Sequence, residues 1–156
     1  SMKNSNVTIR DAKAGDVATV IRLDEIHTGL AKPDYWQEMF TAYVTEDHFG
    51  RYFLIAEAGG QMAGFIVGEI RTWEFGSPPC GWVFAVNVSP EIREGGIGSA
   101  LLDAICQRFA GCGVETVRTM VSREDTLNLS FFRSQGMTAG PYMELEKAVA
   151  SDTGPQ

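Results

Sequence analysis

The segment Val86-Asn-Val-Ser-Pro-Glu-Ile-Arg93-Glu-Gly-Gly96-Ile-Gly98-Ser99-Ala-Leu-Leu102 carries the most chemistry per residue in this chain. It reads as the end of a strand, a short turn, a glycine-rich loop and the start of a helix. A loop of this kind aims several backbone N–H groups at one point, at the positive end of a helix dipole. That is a preformed site for a phosphate or pyrophosphate. Gly95, Gly96 and Gly98 lack the Cβ that would hinder close approach of such a group. Glycine also serves simply to pack a helix tightly on a strand, so the surrounding elements must decide between the two uses.

Those elements are legible as alternating short strands and helices. Val7–Arg10 predicts a first strand, Asp16–Leu23 a helix, and Tyr35–Val44 a second helix after the break at Pro33. Trp36, Met39, Phe40 and Tyr43 fall at i, i+3, i+4 and i+7, a stripe suited to core packing. Arg51–Ala58 and Met62–Trp73 predict two strands, joined by the tight turn that Gly59-Gly60 favours. Gly64 and Gly68 in the second of these mark a bulge or a close backbone contact. Trp82–Val88 is β-rich. From Gly96 to Phe109, Ile97, Leu101, Ile105 and Phe109 recur every fourth residue as a helix stripe. Glu115–Val121 predicts a strand, Thr126–Gln135 a short helix closed by Gly136, and Tyr142–Lys147 a last strand. The expected architecture is α/β (α+β): a mixed, mostly antiparallel sheet of about six or seven strands, flanked by about four helices. One domain is expected over residues 1–156, with its core at about 7–147 and tails at 1–6 and 148–156.

Bulk composition narrows the class. Hydrophobic residues make up 44% and charged residues 21%, as in an ordinary globular protein. Thirteen Lys and Arg against twenty Asp and Glu give a formal charge of −7, which disfavours a nucleic-acid clamp and suits cationic amines. Cys80, Cys106 and Cys112 form no C-x-x-C pair, and His27 and His48 are far apart, so no disulfide scaffold or metal site is expected. No apolar run approaches a membrane span, and no leader-like apolar block opens the chain. The expected setting is the cytoplasm, with neither membrane nor nucleic acid as partner.

Arg93-x-x-Gly96-x-Gly98 after a strand ending at Pro90 resembles the acyl-CoA-binding motif of the GNAT superfamily of N-acyltransferases. The element order resembles that fold from about Val7 to Lys147. The resemblance implies that Val86 and Val88 offer backbone groups to the pantetheine arm and polarise the thioester carbonyl. It implies that Arg93, Glu94, Gly95, Gly96, Ile97, Gly98 and Ser99 form the loop that holds the pyrophosphate, with Arg93 adding charge. The cosubstrate would be acetyl-CoA, with no metal. A second match runs from Asp125 to Met137, where Phe131 and Phe132 precede Gly136; it would place Asn128, Phe131 and Phe132 along the cofactor channel.

Two departures from the family pattern touch catalysis. The family often has Tyr where Phe132 stands, as proton donor to the departing thiolate, and Phe132 has no hydroxyl. The usual Glu base is also missing, since its places read Trp82, Phe84 and Met120. An ammonium of pKa about 10 must lose a proton before it attacks a thioester. Glu69, near the end of the third strand, is the preferred substitute base over Glu74, Glu25 and His27. Tyr142 is the candidate replacement acid, although a thiol of pKa about 8.5 leaves tolerably without one. Glu25, Tyr35 and Trp36 would shape the acceptor site. The expected activity is transfer of the acetyl group of acetyl-CoA to a primary amine of a small molecule or peptide, by direct attack in a ternary complex. A non-catalytic acyl-CoA-binding regulatory module is the alternative. A nucleotide-binding domain is disfavoured, because no repeated parallel βαβ pattern surrounds the loop. A homodimer is compatible with the resemblance.

Overall fold

The computed structural model describes residues 6–92 and 94–150. The chain divides into two compact units, Ser1–Met120 and Val121–Gln156. In the first unit the order is β1 (Val7–Asp11), α1 (Val17–Thr28), α2 (Pro33–Phe40), β2 (Arg51–Ala58), β3 (Gln61–Arg71), β4 (Cys80–Val88), α3 (Ile97–Gly111) and β5 (Val117–Thr119). The strands lie in sequence order in one sheet. The first three pairings are antiparallel, and β4 pairs with β5 in parallel after the α3 crossover.

Local chemistry accounts for the boundaries. Gly59 and Gly60 both take positive φ, +60° and +79°, which lets β2 and β3 close in a two-residue turn. Gly29 in the left-handed conformation stops α1, and Pro33 opens α2 where its missing N–H costs nothing. The first helix thus runs beyond the expected Leu23 to Thr28. The second passes at Thr41–Thr45 into a π-helical turn.

The sheet separates two packing layers. On one face Phe53, Ile55, Phe65 and Val67 meet Val20 and Leu23 of α1 and Trp36 and Phe40 of α2. On the other face α3 lies very close to the strands. A Cβ on Gly81 would stand 2.3 Å from the Phe109 ring, and one on Gly68 2.9 Å from Ile105 Cδ1. A Cβ on Gly64 would stand 2.4 Å from the backbone Asn87 O of β4, and Gly68 lies at a break in the β3/β4 register, so close contact and a bulge, the two uses expected of these glycines, both occur.

The second unit holds α4 (Thr126–Ser134). The strand expected at Tyr142–Lys147 is not formed: residues 141–150 are exposed, and those after Pro141 have no regular structure. Their alternating pattern alone does not make a strand, because a strand needs a ladder partner for its backbone groups. The described sheet accordingly has five strands, fewer than the six or seven expected. No helix among the described residues is long and apolar enough to cross a membrane.

Candidate active site

Strand β4 is the organising element. It pairs with β5 only through Gly81, Trp82 and Val83, and β5 ends at Thr119. Thr119 Oγ1 closes this pairing with a 2.7 Å bond to Val83 O. From Phe84 to Val88 no described strand covers the β5 side of β4, because β5 ends opposite Val83.

The register shows which backbone groups enter that gap. Ser89 N donates to Ala63 O, so along the alternating antiparallel ladder Asn87 and Ala85 turn their backbone groups to β3. Val86 and Val88, at the intervening positions, turn theirs away from β3. A bulge makes this phase possible: Val67 faces Ala85 while Gly68 faces Val83, leaving Phe84 as the extra residue. His27, at the end of α1, already engages one of these groups, with Nε2 2.8 Å from Val88 O. A carbonyl only accepts, so Nε2 carries the proton. His27, one of the sequence candidates for the base, is thereby tied to the strand backbone.

Beyond β4 the chain turns at Ser89, whose Oγ accepts from Glu91 N at 3.3 Å. Gly96 caps α3 at φ +81°, and the first helical bond runs from Ala100 N to Gly96 O at 2.9 Å. The N–H groups of Ile97 and Gly98 precede that bond, and Ser99 completes the first turn. Ile97 is buried and anchors the turn, while Gly95 has open space where a Cβ would sit. A strand edge with no strand partner among the described residues, followed by a glycine-capped helix N-terminus, fits an extended thioester arm ending in a pyrophosphate. Glu94 belongs to this loop. Arg93 lies outside the described residues.

A second constellation lies on the α1/α2 face at the far end of β3. Alternation from Phe65 and Val67 carries Glu69 and Arg71 onto that face. Tyr43 donates its hydroxyl to Glu69 Oε1. Arg71 Nε stands 3.4 Å from Glu69 Oε2 and 3.9 Å from Glu74 Oε2, and its guanidinium lies 4.6 Å above the Trp82 ring. The Tyr43 ring stands edge-on to Phe84, the bulge residue, with centroids 5.8 Å apart. Glu69 is therefore connected through Tyr43 and Phe84 to the open stretch of β4. Burial first, and then the Glu69 carboxylate, raise the Tyr43 pKa far above the ordinary phenol value, so its hydroxyl keeps its proton. The β3–β4 loop beyond Arg71 holds Trp73 and Phe75 in left-handed backbone, φ +56° and +49°, with exposed rings.

Glu25 is exposed on α1 and Tyr35 is exposed on α2. Trp36, expected as an acceptor wall, is 3% exposed in the core, where Nε1 donates to Asp24 Oδ2 at 3.0 Å. It is a packing residue because its indole N–H serves a buried carboxylate. Asn87 carries no signal in the sequence; it is 8% exposed opposite Phe65, and its Oδ1 has no partner among the described residues. In the second unit Asp125 caps α4, accepting from Asn128 N at 3.1 Å and from Asn128 Nδ2 at 2.8 Å. The Asn128 amide is thus held by Asp125. Phe131 and Phe132 are in edge contact, centroids 5.2 Å apart, and Tyr142 is exposed. Sequence reasoning also misses Tyr43, Arg71 and Phe84. Periodicity assigns Tyr43 to the core stripe, and its one distinguishing signal is a polar tip at the helix end.

Similarity to known proteins agrees with this geometry. The L-2,4-diaminobutyric acid acetyltransferase of Nocardia farcinica is 31% identical over 101 residues, 65% of this chain and 50% of that protein. The mycothiol acetyltransferase of Pseudarthrobacter chlorophenolicus is 29% identical over 99 residues, 62% of this chain and 31% of that protein. The chain spans half or less of the length of these relatives. Among solved structures, the aminoglycoside N-acetyltransferase AAC(6')-Iy in complex with CoA superposes with a TM-score of 0.79 at 18% identity, covering 96% of this chain and 99% of that one. At that identity the likeness speaks for the fold. The sequence pattern of the acetyltransferase (GNAT) family matches residues 19–137, and this chain belongs to that family.

Proposed function

We propose that the protein is an acetyl-CoA-dependent N-acetyltransferase acting on a primary amine of a small molecule or peptide. One observation carries the reading: the pairing of β4 with β5 ends at Val83, no strand among the described residues covers the β4 edge beyond it, and the chain then reaches the glycine-capped N-terminus of α3. Acetyl-CoA, when bound, supplies the activated acetyl thioester. Ile97, Gly98 and the rest of the loop would hold its pyrophosphate through backbone N–H groups. Val86 and Val88 would align the pantetheine arm and polarise the carbonyl. Much of the rate then comes from positioning.

Glu69 accepts the proton that the ammonium must shed. It is the carboxylate on the α1/α2 face joined through ring contacts to the bulge of β4. The diaminobutyrate and aminoglycoside enzymes are named for amine substrates, which supports an amine acceptor here. The chain would act as a single acetyltransferase domain. Three free thiols suit a reducing cytoplasm.

The test is release of free CoA from acetyl-CoA across a panel of diamino acids, polyamines, aminoglycosides and peptide amines, with Gly96→Trp as the blocked loop. Release with one amine class, abolished by the variant, is the expected result. Acetyl-CoA binding that the variant lacks, without release for any amine, would favour the non-catalytic module.

A further inference from the structure

We infer that Tyr43 is a positioning residue for Glu69, holding one carboxylate oxygen so that the other faces the acceptor ammonium. The inference rests on the reading of Glu69 as the base.

The helix carrying Tyr43 changes character at this residue. Trp36 and Phe40 keep the helical stripe and are buried in the core. Tyr43 follows on the same stripe and packs against that core at its rim. There Thr41–Thr45 forms a π-helical turn, and the Tyr43 side chain is half-buried with its hydroxyl on Glu69. Single π turns interrupting helices recur at functional sites, where they re-aim a side chain at the expense of regular winding. The Tyr43 ring is itself held: Phe84 stands edge-on at 5.8 Å, and the Arg51 guanidinium lies 5.8 Å from its centroid.

The two oxygens of Glu69 are unequally engaged. Oε1 takes the Tyr43 hydroxyl, whereas among the described residues Oε2 has only Arg71 Nε at 3.4 Å, longer than a well-made charge-assisted bond. Arg71 also divides its contacts between Glu74 and the Trp82 ring. Oε2 is therefore the oxygen with capacity for a new donor. A carboxylate without the Tyr43 bond would rotate about its last torsion, and either oxygen would face the cleft only part of the time. Held by Tyr43, Oε2 accepts one proton from the ammonium and Glu69 becomes the neutral acid. Tyr43 keeps its own proton throughout.

The experiment is a cycle of Tyr43→Phe, Glu69→Gln and the double variant, reading kcat, both KM values and the melting temperature, with the amine that supports turnover. Phenylalanine keeps the ring and its packing on Phe84 and removes only the hydroxyl. We expect Glu69→Gln to lower kcat about 100-fold, the lower end for a lost general base. Tyr43→Phe should lower kcat roughly 10-fold, as for one lost hydrogen bond to a charged group, with the acetyl-CoA KM within about twofold. In the Glu69→Gln background, Tyr43→Phe should have no further effect on kcat. An equal loss in both backgrounds, or an unchanged kcat in Tyr43→Phe alone, overturns the positioning role. An unchanged kcat in Glu69→Gln overturns the base assignment itself, and the inference with it.

Discussion

Replacing Trp36 by Phe separates a core role from a substrate role at that residue. The indole N–H donates to Asp24 Oδ2 at 3.0 Å, and both residues are buried. Lys32 Nζ is the other partner of that oxygen, also at 3.0 Å, but its side chain is about one-third exposed. Phenylalanine retains an aromatic ring between Phe53 and Phe65, whose centroids lie 6.0 and 5.4 Å from that of Trp36. The main loss is then one hydrogen bond to a buried carboxylate, about 2 kcal/mol. That is roughly a 30-fold fall in the folding equilibrium constant, or about 4–8 °C in Tm for a chain of this size. Urea and thermal unfolding measure it. Asp24→Asn is the control: it keeps an acceptor oxygen for the indole but gives up the Lys32 pair and the charge on that acceptor, which together should cost about 1 kcal/mol. The reasoning fails if Trp36→Phe costs less than the control. A raised acceptor KM with unaltered stability would return Trp36 to the wall of the acceptor site.

Gly81→Ala places a Cβ 2.3 Å from the buried Phe109 ring and should cost about 1–3 kcal/mol by overpacking, relieved in part by Phe109→Leu; additive effects in chemical denaturation would contradict this. The two-pronged bond from the Arg10 guanidinium holds the Asp16 carboxyl below its ordinary pKa, so its contribution is fully present above the unfolded value of about 3.9 and is lost as pH falls through the lower folded value; Arg10→Ala should flatten that acid loss in melting curves, and an unchanged acid limb would refute the assignment. Arg71→Gln removes a cation from between Glu69 and Glu74 and should lower the KM of a cationic acceptor roughly two- to fivefold, whereas a raised KM would assign Arg71 to an anionic group on the acceptor.

Sequence periodicity and turn chemistry anticipate what is local. The Gly59-Gly60 hairpin, the buried stripe Ile97, Leu101, Ile105 and Phe109, and the glycine-capped entry to α3 follow from residues within a few positions of one another. The site's cross-links do not. Tyr43 meets Glu69 across 26 positions and His27 meets Val88 across 61, and periodicity states only which face a side chain takes. The bulge lies where Gly68 marks one in the sequence, but that its extra residue is Phe84 on the facing strand is not marked, since a phenylalanine there reads as one more β-favouring residue. At Tyr142–Lys147 the error runs the other way: alternation suggests a strand, but pairing requires a neighbour that local pattern does not supply.

Acetyl transfer itself is tested most directly by incubating the protein with acetyl-CoA and the amine panel, and counting acetylated amine by mass spectrometry against free CoA released. The expected result is one acetylated amine per CoA, formed on a primary amine and lost in Gly96→Trp. Tight acetyl-CoA binding with no acetylated product from any amine, or CoA release without a matching product, would contradict it.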